Sequence, residues 1–253
     1  LAGQRNKIDE RGVNTMLPYL AEFIGTTIMI ILGDGVCANV NLNKSGMKGA
    51  GSVQITFGWG LAVLLPAFVF GAASGAHFNP GVTIGLAAAG KFAWGMVPGY
   101  IVAQIAGAFL GSCIVYLLFK DQFDETTDEK AILGCFSTSP AIRDIPRNFF
   151  TELITTFLLV FTILGIGNVK GAGTIGLNYL LVFGIIVSIG MSLGGLTGYA
   201  MNPARDLGPR IAHALLPIKH KGSSDWQYGL IVPIFGPVAG CLLAALLFNL
   251  IPW

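Results

Sequence analysis

The sequence predicts an all-α membrane protein: six transmembrane helices plus two half-helices that begin inside the membrane, set in two inverted three-span repeats. Three observations predict it. The 253 residues are 53% hydrophobic and only 11% charged, where an ordinary soluble domain carries roughly 25% charged residues. Six apolar runs reach the length of about 20 residues that crosses a bilayer. The triplet Asn-Pro-small occurs twice, as Asn79-Pro80-Gly81 and Asn202-Pro203-Ala204, each at the polar end of an apolar stretch too short to span.

The spans are expected at 18–40, 54–73, 95–119, 147–167, 175–195 and 228–251. The first fourteen residues are polar and lead into no short apolar core with a cleavage site, so a cleaved signal peptide is not expected. The whole chain, 1–253, reads as one membrane domain, with repeat one at about 17–119, a linking loop at 120–146 and repeat two at about 147–251. The repeat is visible in the residues. Ala21-Glu22-Phe23-Ile24-Gly25-Thr26 is followed one span later by Ser74-Gly75-Ala76-His77-Phe78-Asn79-Pro80. Thr151-Glu152-Leu153-Ile154-Thr155-Thr156 is followed by Thr197-Gly198-Tyr199-Ala200-Met201-Asn202-Pro203. Each half closes on a span with a small-residue step, at Gly107 and at Gly240; these glycines and Gly25 are expected to permit close helix packing. Three spans per half is an odd number, so the halves take opposite orientations in the membrane.

An even number of spans puts both termini on one side and the linking loop on the other. The connections near Lys91 and Lys170, with Arg5, Lys7 and Arg11, favour a cytoplasmic placement for the termini, while Lys44, Lys48, Lys219 and Lys221 argue the other way. The loop is acidic, with four basic residues against six acidic ones between Lys120 and Arg147, and its 120–130 segment reads as solvated. The net charge of +2 carries no information about nucleic acid.

Asn is a good helix N-cap, and Pro is tolerated at the first helical position, so each triplet reads as a helix start. Two such starts inside one membrane protein aim two positive dipole ends at one place, which disfavours cations there. Non-helical backbone at membrane depth survives only where it is buried in protein or lines a wet cavity. The carbonyls of Gly75, Ala76, His77 and Phe78, and of Gly198, Tyr199, Ala200 and Met201, are therefore expected to line a water path, with the Asn79 and Asn202 amides as donors at its middle.

On these motifs, extended by Ala204-Arg205-Asp206-Leu207-Gly208-Pro209-Arg210, the chain resembles the major intrinsic protein family, the aquaporins and glycerol facilitators, over about residues 17–251. The resemblance implies six tilted spans, half-helices meeting at the bilayer midplane, a homotetramer with one pore per subunit, and cytoplasmic termini in a cell membrane. It places the family's selectivity filter on Trp59, Gly190, Tyr199 and Arg205. Water-selective members carry His at the position of Gly190 and Phe at that of Trp59. Here Gly leaves space, two aromatic faces suit the carbon edge of a polyol, and the fork of Arg205, expected opposite them, suits its hydroxyl edge. Asp206 and Pro233-Ile234 also resemble the glycerol-conducting branch. Glu22 and Glu152 are implied to be structural acids that accept hydrogen bonds behind the pore loops. Two departures stand out: Gly81 where Ala is usual, and Tyr199 where glycerol facilitators often carry Phe.

Plainer roles exist for single residues. Trp59 also fits an interfacial anchor, Arg205 a surface charge, and Asp206 a partner for Arg210 one turn on. The four cysteines, Cys37, Cys113, Cys135 and Cys241, form no C-x-x-C pair and read as small packers; His77, His213 and His220 have no ligand spacing, so no metal or cofactor is expected. No nucleophile–base set suggests an enzyme. The expected activity is passive diffusion of glycerol and small neutral solutes including water, excluding ions and protons. A strictly water-selective channel is the first rival. A secondary transporter is the second, with Glu22, Glu152 and Asp34 as its candidate ion-coupling acids.

Overall fold

The computed structural model describes residues 2–253, with side chains from Met16 onward. The basic residues Arg5, Lys7 and Arg11 and the polar segment read against a signal peptide lie outside the described side chains. The elements in chain order are α1 (Ala2–Asn41), α2 (Ser52–Ser74), α3 (Pro80–Ala88), a 3₁₀ turn (Trp94–Met96), α4 (Val97–Leu118), α5 (Lys120–Asp124) and α6 (Glu129–Leu133). They continue with α7 (Ile145–Ile166), α8 (Leu177–Thr197), α9 (Pro203–Leu215), α10 (Trp226–Gly229) and α11 (Val232–Leu250). Among the described residues, six segments are long and apolar enough to cross a membrane: Met16–Asn41, Ser52–Ser74, Trp94–Leu118, Ile145–Ile166, Leu177–Thr197 and Trp226–Leu250. Each falls within a few residues of its expected span.

Local chemistry sets the boundaries that matter. α2 stops because Gly75 turns left-handed (φ 84°) and its N–H bonds to the Gly71 carbonyl. α8 stops the same way at Gly198 (φ 79°), whose N–H bonds to Gly194. Glycine makes this turn without a Cβ penalty. The chain thus leaves both helices by one device and enters the two loops that precede the Asn-Pro pairs.

α3 has 9 residues and α9 has 13, or about 14 and 20 Å of helix at 1.5 Å per residue, too short for a ~30 Å hydrocarbon core. The spans pack around them. A Cβ at Gly107 of α4 would strike the Phe23 carbonyl of α1, and one at Gly240 of α11 would strike the Leu153 carbonyl of α7. The matching positions of the two repeats therefore allow matching close crossings. Gly25 has a different job from the one expected of it: a Cβ there would collide with the ring of Phe78.

The linking loop is folded rather than merely solvated. It carries α5 and α6, and Phe123, Ile132, Cys135 and Phe136 are buried against Leu42, Val115, Tyr116 and Ile218 as a second, smaller apolar core. The acidic composition of 120–130 hides these apolar side chains from a charge-based reading. Burying them brings residues 136–138 down onto the first turns of α9, at Arg205, Asp206 and Arg210.

Candidate functional site

Each half-helix starts on its own Asn. Asn79 is extended (φ −157°, ψ 118°), and its Oδ1 accepts from Gly81 N at 2.8 Å, with Pro80 in the first helical position. Asn202 (φ −150°, ψ 104°) accepts from Ala204 N at 3.0 Å and Arg205 N at 3.2 Å. The side-chain amide nitrogens then cross over. Asn79 Nδ2 donates to the Met201 carbonyl at 2.9 Å, and Asn202 Nδ2 donates to the Phe78 carbonyl at 2.9 Å. The two helix starts therefore face one another in reciprocal contact, and their positive ends converge. One N–H of each amide is used in this tie, which leaves the other as the donor available to a solute.

The loops ahead of the Asn residues are strained. Ala76 (φ 53°), Phe78 (φ 48°), Tyr199 (φ 38°) and Met201 (φ 48°) are left-handed without being glycine, at a cost of about 1–3 kcal/mol each. Two fully buried carboxylates hold them there. Glu22 Oε1 accepts from Ser74 Oγ at 2.6 Å and His77 N at 2.9 Å; its Oε2 accepts from Phe78 N at 2.7 Å and Gln104 Nε2 at 2.8 Å. Glu152 accepts from Thr197 Oγ1 at 2.6 Å, Ala200 N at 3.0 Å and Met201 N at 2.9 Å. In a planar trans peptide the C=O points opposite to the following N–H. Turning the N–H groups of 77, 78, 200 and 201 toward the acids therefore turns the carbonyls of Ala76, His77, Tyr199 and Ala200 away from them.

Those carbonyls belong to residues that border open space. One cavity of about 310 Å³ is lined by Gly75, Ala76 and His77 and reaches Asn79 and Asn202. A neck of about 50 Å³ follows, lined by Gly198, Tyr199, Ala200 and Met201, the two Asn, Trp59 and Arg205. A third cavity of about 350 Å³ begins at Trp59, Tyr199 and Arg205 and includes Gly190. Shared lining residues join the three in series, and the neck holds only a few waters at ~10–15 Å³ each. Two of the eight depart from expectation: the carbonyls of Phe78 and Met201 are taken by Asn202 and Asn79, and Phe78 is fully buried while Met201 still borders the neck.

The four filter candidates come together, with two differences from the expected picture. Arg205, 7% exposed, lies on the Trp59 ring, 4.2 Å from its centroid, instead of standing across from it. Its Nη1 donates to the Phe136 carbonyl at 2.9 Å. The indole N–H of Trp59 donates to Cys37 Sγ at 3.4 Å, so Trp59 is interior and Cys37 does more than fill space. The second difference concerns Gly190. A Cβ there would come within 2.6 Å of the Thr56 methyl and 3.0 Å of the Tyr199 ring. The room left by Gly190 is occupied by Tyr199 and Thr56; it lets the Tyr199 ring settle against α8. Gly81 sits where a Cβ would meet Asn79 Oδ1 at 3.1 Å and Met201 O at 3.7 Å, which accounts for a small residue at the junction.

Asp206 pairs with Arg210 as its spacing suggested, Nε to Oδ1 at 2.7 Å, with both side chains fully buried. Asp206 Oδ2 also accepts from the N and Oγ1 of Thr138 at 2.8 and 2.7 Å, which pins the linking loop to α9.

The profile described as Major intrinsic protein matches residues 11–248. The chain belongs to the major intrinsic protein family. It is 55% identical over 234 residues to a probable glycerol uptake facilitator protein of Thermotoga maritima, an alignment covering 92% of this chain and 99% of that one. It is 53% identical to glycerol uptake facilitator protein 3 of Lactiplantibacillus plantarum, over 93% of this chain and 97% of the other. Among solved structures, the aquaglyceroporin from Plasmodium falciparum is similar with a TM-score of 0.79 at 33% identity, covering 93% of this chain and 96% of that chain.

Two parts of this major intrinsic protein's site escaped the sequence reading, and a third was read for another role. Phe136 acts from the linking loop through its carbonyl, and Thr138 through both backbone groups and its hydroxyl, which no residue-type pattern marks. Thr56 enters through the methyl that it presses toward Gly190. Asp34 was weighed as an ion-coupling acid; the structure places it 3.5 Å from Arg205 instead. An acid inside an apolar span was itself the signal.

Proposed function

We propose that this integral, multi-pass membrane protein is a channel for passive, bidirectional diffusion of glycerol and other small neutral solutes, water among them. The observation that carries this reading is the neck. Trp59 and Tyr199 offer apolar faces there, Arg205 and the free amide hydrogens of Asn79 and Asn202 offer donors, and the loop carbonyls offer acceptors. A polyol presents a carbon edge and a hydroxyl edge and can satisfy both kinds of wall while shedding its water. The glycerol uptake facilitators named above support the same solute class.

On this reading cations are opposed by the converging half-helix ends, and protons by the reorientation of water at the two Asn. Four copies assemble in the cell membrane with their termini in the cytoplasm, which the family resemblance supports; no catalytic step is involved. The acids weighed for ion coupling are all committed: Glu22 and Glu152 to loop donors, Asp34 to Ser112 at 2.9 Å and to Arg205.

Stopped-flow light scattering on vesicles carrying the purified protein tests the proposal. Glycerol flux is expected well above that of empty vesicles and indifferent to collapse of proton and sodium gradients. Water flux without glycerol uptake would assign a water-selective channel, and uptake lost with a gradient would assign a coupled transporter. Gly190→His tests the neck: the new ring displaces Tyr199 toward Arg205, so glycerol flux should fall about tenfold or more relative to water flux. Equal loss of both would remove Gly190 and Tyr199 from solute selection.

A further inference from the structure

Among the described residues, Arg205 is the only charged side chain bordering the neck, and behind it lies a second charge. Asp34 of α1 is 0% exposed and borders none of the three cavities in series. Its Oδ2 accepts from Ser112 Oγ of α4 at 2.9 Å. Its Oδ1 faces Arg205 Nη1 at 3.5 Å, an ion-pair distance, and no hydrogen bond reaches that oxygen. The same Nη1 donates to the Phe136 carbonyl.

A fully buried carboxylate is costly unless paired, and the single cation beside this one is the guanidinium of the neck. Two consequences follow. With Asp34 and Phe136 both drawing on Nη1, one corner of the fork is held away from the lane and the rest of the guanidinium is left to meet solute. The charge seen from the lane is also largely cancelled. A lone guanidinium in a narrow, poorly solvated neck would attract small anions and hold them against passing solute. A guanidinium backed by a carboxylate keeps its N–H donors and loses most of its net field.

We propose that Asp34 is a positioning and specificity-determining residue: it is the counter-charge of the constriction, fixing Arg205 and letting the neck favour neutral hydroxylated solutes over small anions. The proposal rests on the channel reading above. It also changes what removal of Arg205 does. Arg205→Ala leaves a buried carboxylate unopposed beside the neck, so the cation leak of that variant comes from Asp34 and not only from the lost positive charge.

The test is a double-mutant cycle in proteoliposomes, with nitrate and potassium permeability measured beside water and glycerol. Asp34→Asn keeps the shape of the side chain and an oxygen for Ser112 but removes the charge; the nitrate-to-water permeability ratio should rise on the order of tenfold. Arg205→Ala should leak potassium, and D34N/R205A should abolish most of that leak. A nitrate ratio unchanged in D34N, or a potassium leak equal in R205A and D34N/R205A, overturns the proposal. If D34N alone does not insert but D34N/R205A does, the non-additivity itself supports the pairing; failure of both to insert overturns it, because Asp34 would then act through something other than Arg205. Absence of glycerol flux in the unmutated protein sinks the channel reading instead, so the two failures are distinguishable.

Discussion

Replacing Asp206 with Ala is expected to cost about 3–5 kcal/mol of stability, the scale for breaking a buried ion pair by removing one partner. Asp206 and Arg210 are both fully buried. Without the carboxylate, Arg210 would keep the carbonyls of Ser224 (2.6 Å) and Thr138 (2.9 Å) but would have no counter-charge. The two bonds from Thr138 to Asp206 would also be lost, freeing the segment that supplies Phe136 to Arg205. The pair of Arg143 with Asp225 is the natural comparison, because its Arg side chain is 49% exposed. An exposed pair is worth roughly 0–1 kcal/mol, so Arg143→Ala should barely move the thermal unfolding midpoint in detergent. Aggregation-monitored unfolding should place Asp206→Ala well below it. Equal midpoints for the two variants would show that the buried network does not hold the loop to α9.

What could be seen in the sequence was what repeats locally. Asn79 and Asn202 cap helices that begin with Pro, and each cap is a relation between residues two or three apart. Glu22 and Glu152 stand out because an acid inside an apolar run is conspicuous, while their role behind the pore loops came from the family resemblance. Contacts between elements distant in the chain were harder to see. The Phe136 carbonyl reaches Arg205 only because Phe123, Ile132 and Cys135 bury themselves, and that small core is masked by the acidic residues around it. Gly190 shows the same limit from another side. Its missing side chain was legible as space, but which neighbour takes that space depends on the left-handed turn at Tyr199, which swings the ring back onto α8. Asp34 and Arg205 are far apart in sequence, and nothing in either local pattern names the other.

Glu152→Ala is expected to abolish most flux of glycerol and water together. Its three donors are bound to a carboxylate, and each such bond contributes about 1.5–3 kcal/mol. They hold Tyr199 and Met201 in left-handed backbone that costs about 1–3 kcal/mol per residue. The anchoring outweighs the strain only while the carboxylate is present. Once it is gone, the N–H groups of Ala200 and Met201 are buried without partners, and the loop relaxes toward a conformation that satisfies them. That relaxation turns the carbonyls of Tyr199 and Ala200 out of line and carries the Tyr199 ring away from Gly190. It also moves Met201 O, the acceptor for Asn79, so the damage reaches the other repeat. Glu152→Gln separates anchoring from bulk: its carbonyl oxygen still accepts, but its amide group must face an N–H donor, so an intermediate loss is expected. Solute dependence gives the diagnosis. A filter change alters the glycerol-to-water ratio, whereas collapse of the carbonyl row lowers both fluxes by similar factors. Wild-type flux of both solutes in Glu152→Ala, in protein shown to be folded and inserted, would mean that the loop keeps its shape without the acid.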